Sequence, residues 1–164
     1  MEYLYFGRIV NTHGIKGEVR ILSNFKYKDK VLVKYFPIYI GKEKVMEIIN
    51  SYRPHKQFDM ITIKGYTNIN EVLKYKGKQV YIKKSDLTLE QGEYLDEDLI
   101  GMDVMMNHQK KGKVVRIEKD RYQDKIVVNK EGKEYLVPYV CDIIKNINLE
   151  ERFITLENIK GLLD

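Results

Sequence analysis

The sequence predicts an all-β protein that contains two small β-barrels in tandem. Three observations support this prediction. Segments rich in Val, Ile, Tyr and Phe alternate with polar residues along most of the chain, which is typical of half-buried strands. A single segment, near residue 70, interrupts this period with a helical signature. An acidic, turn-rich stretch at residues 83–101 divides the strands into two groups, as expected of a domain boundary.

Six strands are predicted before residue 85, which is enough to close a small barrel. They are the segments YLYFGRIV, GEVRIL, VLVKYFPIYIG, KVMEII, FDMITIKG and QVYIKK. One short helix is predicted in TNINEVLKYKG, because Asn68 is a suitable N-cap, Glu71 follows three residues later and Gly77 can end the helix. We therefore expect residues 1–86 to form a six-stranded barrel with one helical turn.

Strand patterns resume after a predicted linker at residues 87–92. They are the segments DVMMN, GKVVRIEK, DKIVVNK, KEYLVPYV and RFITLE. Five or six short strands at this spacing predict a second small, bent sheet or barrel at residues 93–164. Pro138 cannot donate a ladder hydrogen bond, so it predicts a strand edge or end, where Tyr139 could be presented to a partner.

Length and composition exclude several classes of protein. The 164 residues include no run of about twenty apolar residues, and the N-terminus has no leader pattern, so we expect a soluble, cytoplasmic protein without a membrane partner. Cys141 is the only cysteine, and three histidines do not complete a zinc-site spacing around it. We therefore expect no disulfide, no metal and no cofactor. A monomer is expected.

The net charge of +5 is distributed unevenly along the chain. Residues 1–86 contain 17 Lys and Arg against 8 Asp and Glu, a net charge of +9, whereas residues 87–164 contain 12 against 16, a net charge of −4. A basic half favours a polyanion such as nucleic acid, and an acidic half tolerates a basic protein partner. Ordinary solvated surfaces are the alternative explanation for both halves.

The polar stretch NTHGIKGE at residues 11–18 joins two predicted strands and is the strongest candidate for a functional site. It lacks the G-x-x-x-x-G-K-[ST] spacing of a phosphate-binding loop and the G-x-G-x-x-G of a dinucleotide site. A catalytic His13 would need an orienting carboxylate and a nucleophile, and only Glu18 and Thr12 lie nearby in the sequence. We therefore predict no catalytic residue.

This stretch can have two roles, and they do not exclude each other. Gly14 and Gly17 allow the backbone to adopt positive φ in a tight connection, which is a structural role. A turn of this kind also projects His13, Lys16 and Arg20 toward one side, where their side chains can meet phosphate groups. The second role would make the turn a contact with nucleic acid.

Three segments resemble, in the same order, the RimM family of bacterial ribosome maturation factors: GRIVNTHGIKGEVRI, EYLDEDLIGMDV and YLVPYVCDIIKNINLEERFITLENIKGLLD. The resemblance implies an N-terminal six-stranded barrel similar to a translation-factor barrel domain, followed by a PRC-type barrel. It also implies a non-enzymatic assembly factor. Such a factor binds the free small ribosomal subunit, helps its head mature with 16S rRNA processing, and contacts the small-subunit protein numbered nineteen. Residues then expected to contact the rRNA are His13, Gly14, Lys16, Gly17 and Arg20.

One departure from the family concerns the entry to the second domain. The family usually has two adjacent aromatic residues where this chain has Tyr94 and Leu95, and that pair is linked to partner binding. Leu95 can offer only an aliphatic contact, without a ring face. Leu99 and Ile100 are expected to be core residues, and Tyr94 suits either role. Residues expected to contact the ribosomal protein are Tyr94, Leu95, Asp98, Pro138 and Tyr139.

A function of a different class also stays open. The protein could be a regulatory or protein-interaction module that uses the PRC-like barrel and does not bind RNA. Association with free small subunits distinguishes the two hypotheses, because only an assembly factor requires it.

Overall fold

The computed structural model describes residues 2–164, and these separate into two compact units after Thr88. Strands make up 47% of the protein and helices 11%, so the prediction of an all-β protein is confirmed. Each unit encloses its own cluster of buried apolar side chains.

The first unit is a closed barrel, with six strands between residues 2 and 88 in the order β1-β2-β5-β4-β3-β6. The strands are β1 (Tyr3–His13), β2 (Glu18–Leu22), β3 (Pro37–Ile40), β4 (Val45–His55), β5 (Phe58–Ile63) and β6 (Gln79–Lys83). All neighbouring pairs are antiparallel, and β1 closes the barrel because it pairs with both β2 and β6. The predicted number of strands is therefore confirmed for this unit.

Alternating residues of β2, β3, β5 and β6 point into the core, as the sequence pattern predicts. Their burial removes apolar surface from water, which is the main stabilising contribution in a unit of this size. The fully buried strand residues of this core are Phe6, Ile9, Val19, Ile21, Ile38, Ile40, Ile49, Ile61, Ile63, Val80 and Ile82.

The third predicted strand is wrong over its first half. The predicted segment begins at Val31, which is the last residue of a helical turn, α1 (Lys28–Val31). Strand β3 begins only at Pro37. Between them, Tyr35 adopts a φ of +78°, which redirects the chain and cannot occur in a regular strand. The apolar residues Val31 and Leu32 are buried, but in the core beside the helical turn and not in a strand.

The predicted helix and its cap are confirmed. Helix α2 (Ile69–Val72) continues into a 3-10 turn at Leu73–Tyr75. The Asn68 side chain accepts a hydrogen bond from the Glu71 N–H at 3.3 Å, and the Glu71 carboxylate accepts one from the Asn68 N–H at 3.2 Å. This reciprocal pair satisfies backbone donors that a helix start otherwise leaves unpaired.

The second unit contains a six-stranded sheet within residues 89–164, in the order β10-β9-β8-β7-β12-β11. The strands are β7 (Asp103–Met106), β8 (Gln109–Glu118), β9 (Lys125–Lys130), β10 (Lys133–Pro138), β11 (Ile144–Asn148) and β12 (Phe153–Leu156). Five of them follow the predicted segments. The sequence did not locate β11, because a register shift between Ile144 and Asn146 breaks the two-residue alternation there.

The turn between β1 and β2 packs closely against the start of α2. The Ile69 N–H donates a hydrogen bond to the Ile15 carbonyl at 3.0 Å. A Cβ added to Gly17 would lie 2.8 Å from the Asn68 carbonyl oxygen, closer than a real Cβ contact. Gly17 is therefore required both by its φ of +86° and by this close approach.

Gly14 provides a matched control for Gly17, because its φ is +75° but a Cβ there would meet nothing within 4 Å. We expect Gly14→Ala to lose about 1 kcal/mol through the left-handed backbone alone. Gly17→Ala loses this and also pushes against the backbone at Asn68, so it should melt at least about 4 °C below Gly14→Ala. Thermal unfolding followed by circular dichroism measures the difference, and equal melting temperatures would contradict the role of the close approach.

Candidate functional site

The polar stretch singled out in the sequence forms the turn between β1 and β2. Its backbone turns at Gly14 and Gly17, both of which adopt positive φ as predicted. Between them, the side chain of Ile15 is 82% exposed and Lys16 is also exposed. The turn therefore presents one apolar and one cationic side chain to solvent, on a backbone fixed by α2.

His13 and Arg20 come together beside this turn, across the β1–β2 ladder. The Nη2 atom of Arg20 lies 3.0 Å from Nδ1 of His13. Arginine has no acceptor, so Nδ1 must accept this hydrogen bond and the imidazole proton resides on Nε2. The Nε2–H of His13 is therefore available as a donor to a ligand.

Arg20 also packs on an aromatic ring of the neighbouring strand β5. Its guanidinium carbon lies 5.5 Å from the centroid of the Phe58 ring, a cation–π contact. Its Nε atom is buried and has no hydrogen-bond partner among residues 2–164. Arg20 is therefore fixed in position by the ring and by His13.

Strand β4 adds residues that the sequence reasoning did not include. Arg53 donates two hydrogen bonds to the Glu18 carboxylate, at 2.7 and 2.8 Å. These bonds lower the pKa of Glu18, although partial burial opposes the shift. Arg53 and Glu18 neutralise each other. The positive charges of Lys16 and Arg20 nearby are therefore not balanced by Glu18.

His55, at the end of β4, completes this face of the barrel. Its ring centroid lies 6.1 Å from that of His13. Partial burial lowers the pKa of His55, and the nearby cations Arg53 and Lys56 lower it further. We call the five side chains that meet here the histidine face: His13, Arg20, Arg53, His55 and Phe58.

The chemistry of the histidine face suits binding an anion. It contains imidazole N–H donors, a fixed guanidinium and neighbouring lysines, which are the groups that contact phosphate oxygens in nucleic acids. Among residues 2–164, no group of three or more His, Cys, Asp or Glu side chains is placed to hold a metal ion. Within the same residues, no helix has the length and apolar character needed to cross a membrane.

In the second unit, Tyr94 and Tyr139 meet as part of a polar network. The Tyr139 hydroxyl lies 3.3 Å from the Tyr94 hydroxyl and donates to the Asp96 carboxylate, also at 3.3 Å. Burial raises the pKa of Tyr139, and the bond to Tyr94 adds to the shift. Lys119 donates to Asp96 and to Asp124, so both tyrosines lie beside a paired carboxylate.

Tyr94 and Tyr139 also line a groove of about 410 Å³. The groove is lined further by Val140, Cys141, Ile144, Lys145, Asn146 and Ile147. Strand β10 ends at Pro138, as the missing amide proton predicts, and the Tyr139 N–H donates to the Asp124 carbonyl at 2.9 Å. The end of β10 thus places Tyr139 at the groove.

Leu95 and Asp98 have structural roles next to this groove. Leu95 is 7% exposed, so its side chain packs in the protein and offers almost no area to a partner. The Asp98 carboxylate accepts a hydrogen bond from the Leu95 N–H at 2.9 Å, across a 3-10 turn at Asp96–Leu99. Arg152 donates to the Asp98 carbonyl at 3.0 Å and fixes the same turn.

The expectation that Leu99 and Ile100 are both core residues is correct for only one of them. Leu99 is fully buried, but Ile100 is 44% exposed. Ile100 directly follows the 3-10 turn, so the two side chains point in different directions.

These features define a class of protein: two β-sheet domains in one chain, the first with an exposed basic turn and the second with an aromatic groove. Residues 4–87 match the family model of the RimM N-terminal domain, and residues 96–162 match that of the RimM PRC barrel domain. The chain therefore belongs to the RimM family of ribosome maturation factors. The predicted PRC-type barrel is confirmed by the second match.

Curated relatives align with nearly the full length of this chain. It is 39% identical to a Ribosome maturation factor RimM of Staphylococcus haemolyticus, covering 96% of this chain and 97% of the relative. It is 35% identical to that of Bacillus cytotoxicus, covering 99% of each. The crystal structure of a 16S ribosomal RNA processing protein RimM from Pseudomonas aeruginosa aligns over 95% of this chain and 97% of its own, at 23% identity and a TM-score of 0.49.

The pKa of His55 is expected to lie below its ordinary value of 6.5. Replacing Lys56 with Gln removes a nearby cation and should raise the pKa, whereas Lys110→Gln, in the second unit, should leave it unchanged. Proton NMR titration of the imidazole C2 signal, assigned with a His55→Gln variant, measures both values. A pKa at or above 6.5 in the unaltered protein would contradict the effect of partial burial and the neighbouring cations.

The same shift has a consequence for stability. Since the folded state disfavours the charged imidazole, the unfolded chain binds more protons below about pH 6.5. His55 therefore reduces the free energy of unfolding as the pH falls through this range.

Replacing Leu95 with Tyr, which would restore two adjacent aromatics, should destabilise the second unit. The larger ring has no space at a buried position, and such overpacking costs about 1–3 kcal/mol. Ile100→Tyr is the matched control, because Ile100 is exposed and should accept a ring with little change. Chemical denaturation of both variants measures the difference, and an unchanged midpoint for Leu95→Tyr would show that its site can expand.

Proposed function

We propose that this protein is a non-enzymatic assembly factor that binds the free small ribosomal subunit in the cytoplasm and promotes head maturation and 16S rRNA processing. The first barrel contacts 16S rRNA in the head region. The second unit contacts a basic ribosomal protein of the head, the small-subunit protein numbered nineteen. The observation that carries this proposal is the exposed basic turn of a barrel with net charge +9, in a chain of the ribosome maturation factor family.

Geometry and charge of the first barrel support the contact with rRNA. Lys16 is exposed at the tip of a fixed turn, and the histidine face beside it offers N–H donors to phosphate oxygens. Gly14 and Gly17 take part by fixing the turn, and Arg20 takes part by fixing His13. Phosphate contacts of this kind position a protein on RNA without reading its sequence.

The groove of the second unit supports the contact with a protein. Tyr94 and Tyr139 contribute ring area, and aromatic residues are enriched where interfaces have their strongest contacts. The net charge of −4 on residues 87–164 favours a basic partner. Leu95 and Asp98 fix the segment that follows Tyr94, through packing and the Asp98–Leu95 hydrogen bond.

Sedimentation of a cell extract through a sucrose gradient tests the proposal directly. The protein should travel with free small subunits and be absent from translating ribosomes. A protein that stays at the top of the gradient in low salt would instead favour the alternative hypothesis, a protein-interaction module that does not bind RNA.

Lys16→Glu should weaken binding to purified small subunits about tenfold, since it replaces a charge-assisted phosphate contact with repulsion. The melting temperature should not change, because Lys16 is exposed. Lys160→Glu makes the same charge change at an exposed lysine of the second unit and serves as the control. Undiminished binding of Lys16→Glu in a folded protein would remove this residue from the RNA contact.

Binding of the intact protein to rRNA should depend strongly on salt. If about five phosphates are neutralised, the slope of log K against log salt is about −4 to −5, and doubling the salt weakens binding roughly twentyfold. Filter binding at a series of potassium chloride concentrations measures the slope. Affinity that does not change between low and moderate salt would contradict an electrostatic contact.

A further inference from the structure

A row of large side chains crosses the outer face of the first barrel, away from the histidine face. Cross-strand pairing aligns Tyr5 with Tyr81, Tyr81 with Tyr39, and Tyr39 with Met46, over strands β1, β6, β3 and β4. In β1, β6 and β3 the residues that flank the row belong to the barrel core or pack against it, so the three tyrosines point outward. On β4, Met46 is itself exposed. We call Tyr5, Tyr81, Tyr39 and Met46 the tyrosine row.

The tyrosine row is open to solvent at its two ends, whereas Tyr39 within it is only 8% exposed. Tyr5 is 54% exposed and Met46 is 55% exposed, although both are large apolar side chains. The Tyr5 and Tyr81 rings meet edge to face, with centroids 5.9 Å apart and an interplanar angle of 76°. Tyr39 is held in the same way by Tyr3, at 5.3 Å. Edge-to-face packing holds these rings in fixed orientations and leaves Tyr5 accessible.

Lysine ammonium groups lie over two rings of the row. The Lys44 ammonium lies 4.1 Å from the centroid of the Tyr81 ring, and the Lys83 ammonium lies 5.0 Å from that of Tyr39. Arg8 is exposed farther along β1. Within their bounds, strands β1, β3 and β6 contain no Asp or Glu, and β4 contains one Glu, whose carboxylate accepts hydrogen bonds from two tyrosine hydroxyls. The face is therefore aromatic and positively charged, and it would repel a basic protein.

We propose that the tyrosine row is a binding surface for single-stranded RNA. Fixed aromatic rings bordered by lysines are the combination that binds unpaired bases by stacking while cations contact the backbone. A duplex hides the faces of its bases and cannot use the rings. Bases stack on Tyr5 and the exposed end of the row, while Lys44 and Lys83 reach the phosphates.

This inference deepens the proposed function, on which its biological role rests, by naming the kind of RNA that the barrel takes. The histidine face would contact phosphates, and the tyrosine row would take unpaired bases of the same RNA. The two surfaces share β1 and β4 but otherwise lie on different strands: the histidine face also uses β2 and β5, and the row also uses β6 and β3.

Fluorescence anisotropy with a labelled ten-nucleotide oligouridine tests the proposal on the intact protein. Tyr5→Ala should weaken binding about tenfold, and Tyr5→Phe, which keeps the ring, should bind within about twofold of the unaltered protein. Tyr122→Ala is the matched control, because Tyr122 is 87% exposed in the second unit and should have no effect. Lys44→Gln should make the salt slope shallower by about one.

Three results would overturn the proposal. The first is no binding of the oligouridine by the unaltered protein. The second is Tyr5→Ala binding within twofold of the unaltered protein. The third is a ten-base-pair RNA duplex that binds as tightly as the single strand and loses as much affinity in Tyr5→Ala.

The experiments distinguish a failure of the proposed assembly function from a failure of RNA binding by the tyrosine row. If oligouridine binding depends on Tyr5 but the protein does not sediment with small subunits, the assembly role fails and the RNA surface stands. If sedimentation persists in Tyr5→Ala and oligouridine binding is lost with Lys16→Glu alone, the assembly role stands and the tyrosine row does not bind RNA.

Discussion

The first unit depends on the path of one strand, β1, which must pair with both β2 and β6 to close the barrel. Its register shifts twice, between Tyr5 and Gly7 against β6 and between Ile9 and Asn11 against β2. Bulges of this kind bend a strand and increase its twist. At the first bend, a Cβ on Gly7 would lie 2.5 Å from the Leu22 carbonyl oxygen, so only glycine allows β2 this close. Without that bend, β1 could not reach both neighbours.

The bends also decide which surface each part of β1 contributes to. Before them, Tyr5 faces outward beside β6 and belongs to the tyrosine row. After them, His13 lies beside β2 and joins the histidine face. One strand of eleven residues thus supplies both cationic surfaces of the barrel, with inward residues such as Phe6 and Ile9 between them. Two surfaces on one rigid strand have a fixed separation, which suits a single extended ligand.

The sequence predicts those parts of the fold and the site that depend on residues close together in the chain. Local signals predicted the alternating strands and the Asn68–Glu71 cap, because neighbouring residues alone determine them. The pairing of His13 with Arg20 is also local, since one tight turn joins their strands. His55 and Phe58 join the site through the β2–β5–β4 ladder, and Tyr81 joins Tyr5 through barrel closure. Those pairings link distant segments, and bulges shift their registers, so alternation within one segment could not predict them.

Tyrosine side chains make different kinds of contact in the two units. In the first, lysines lie over the rings of Tyr81 and Tyr39, so the rings stay part of a cationic surface. In the second, the Tyr139 hydroxyl bonds to Tyr94 and Asp96, and Lys119 pairs with the same carboxylate. That network satisfies the polar groups of the two tyrosines at the edge of the groove. The same residue type thus belongs to a cationic surface on the barrel and to a charge-balanced polar network on the PRC domain.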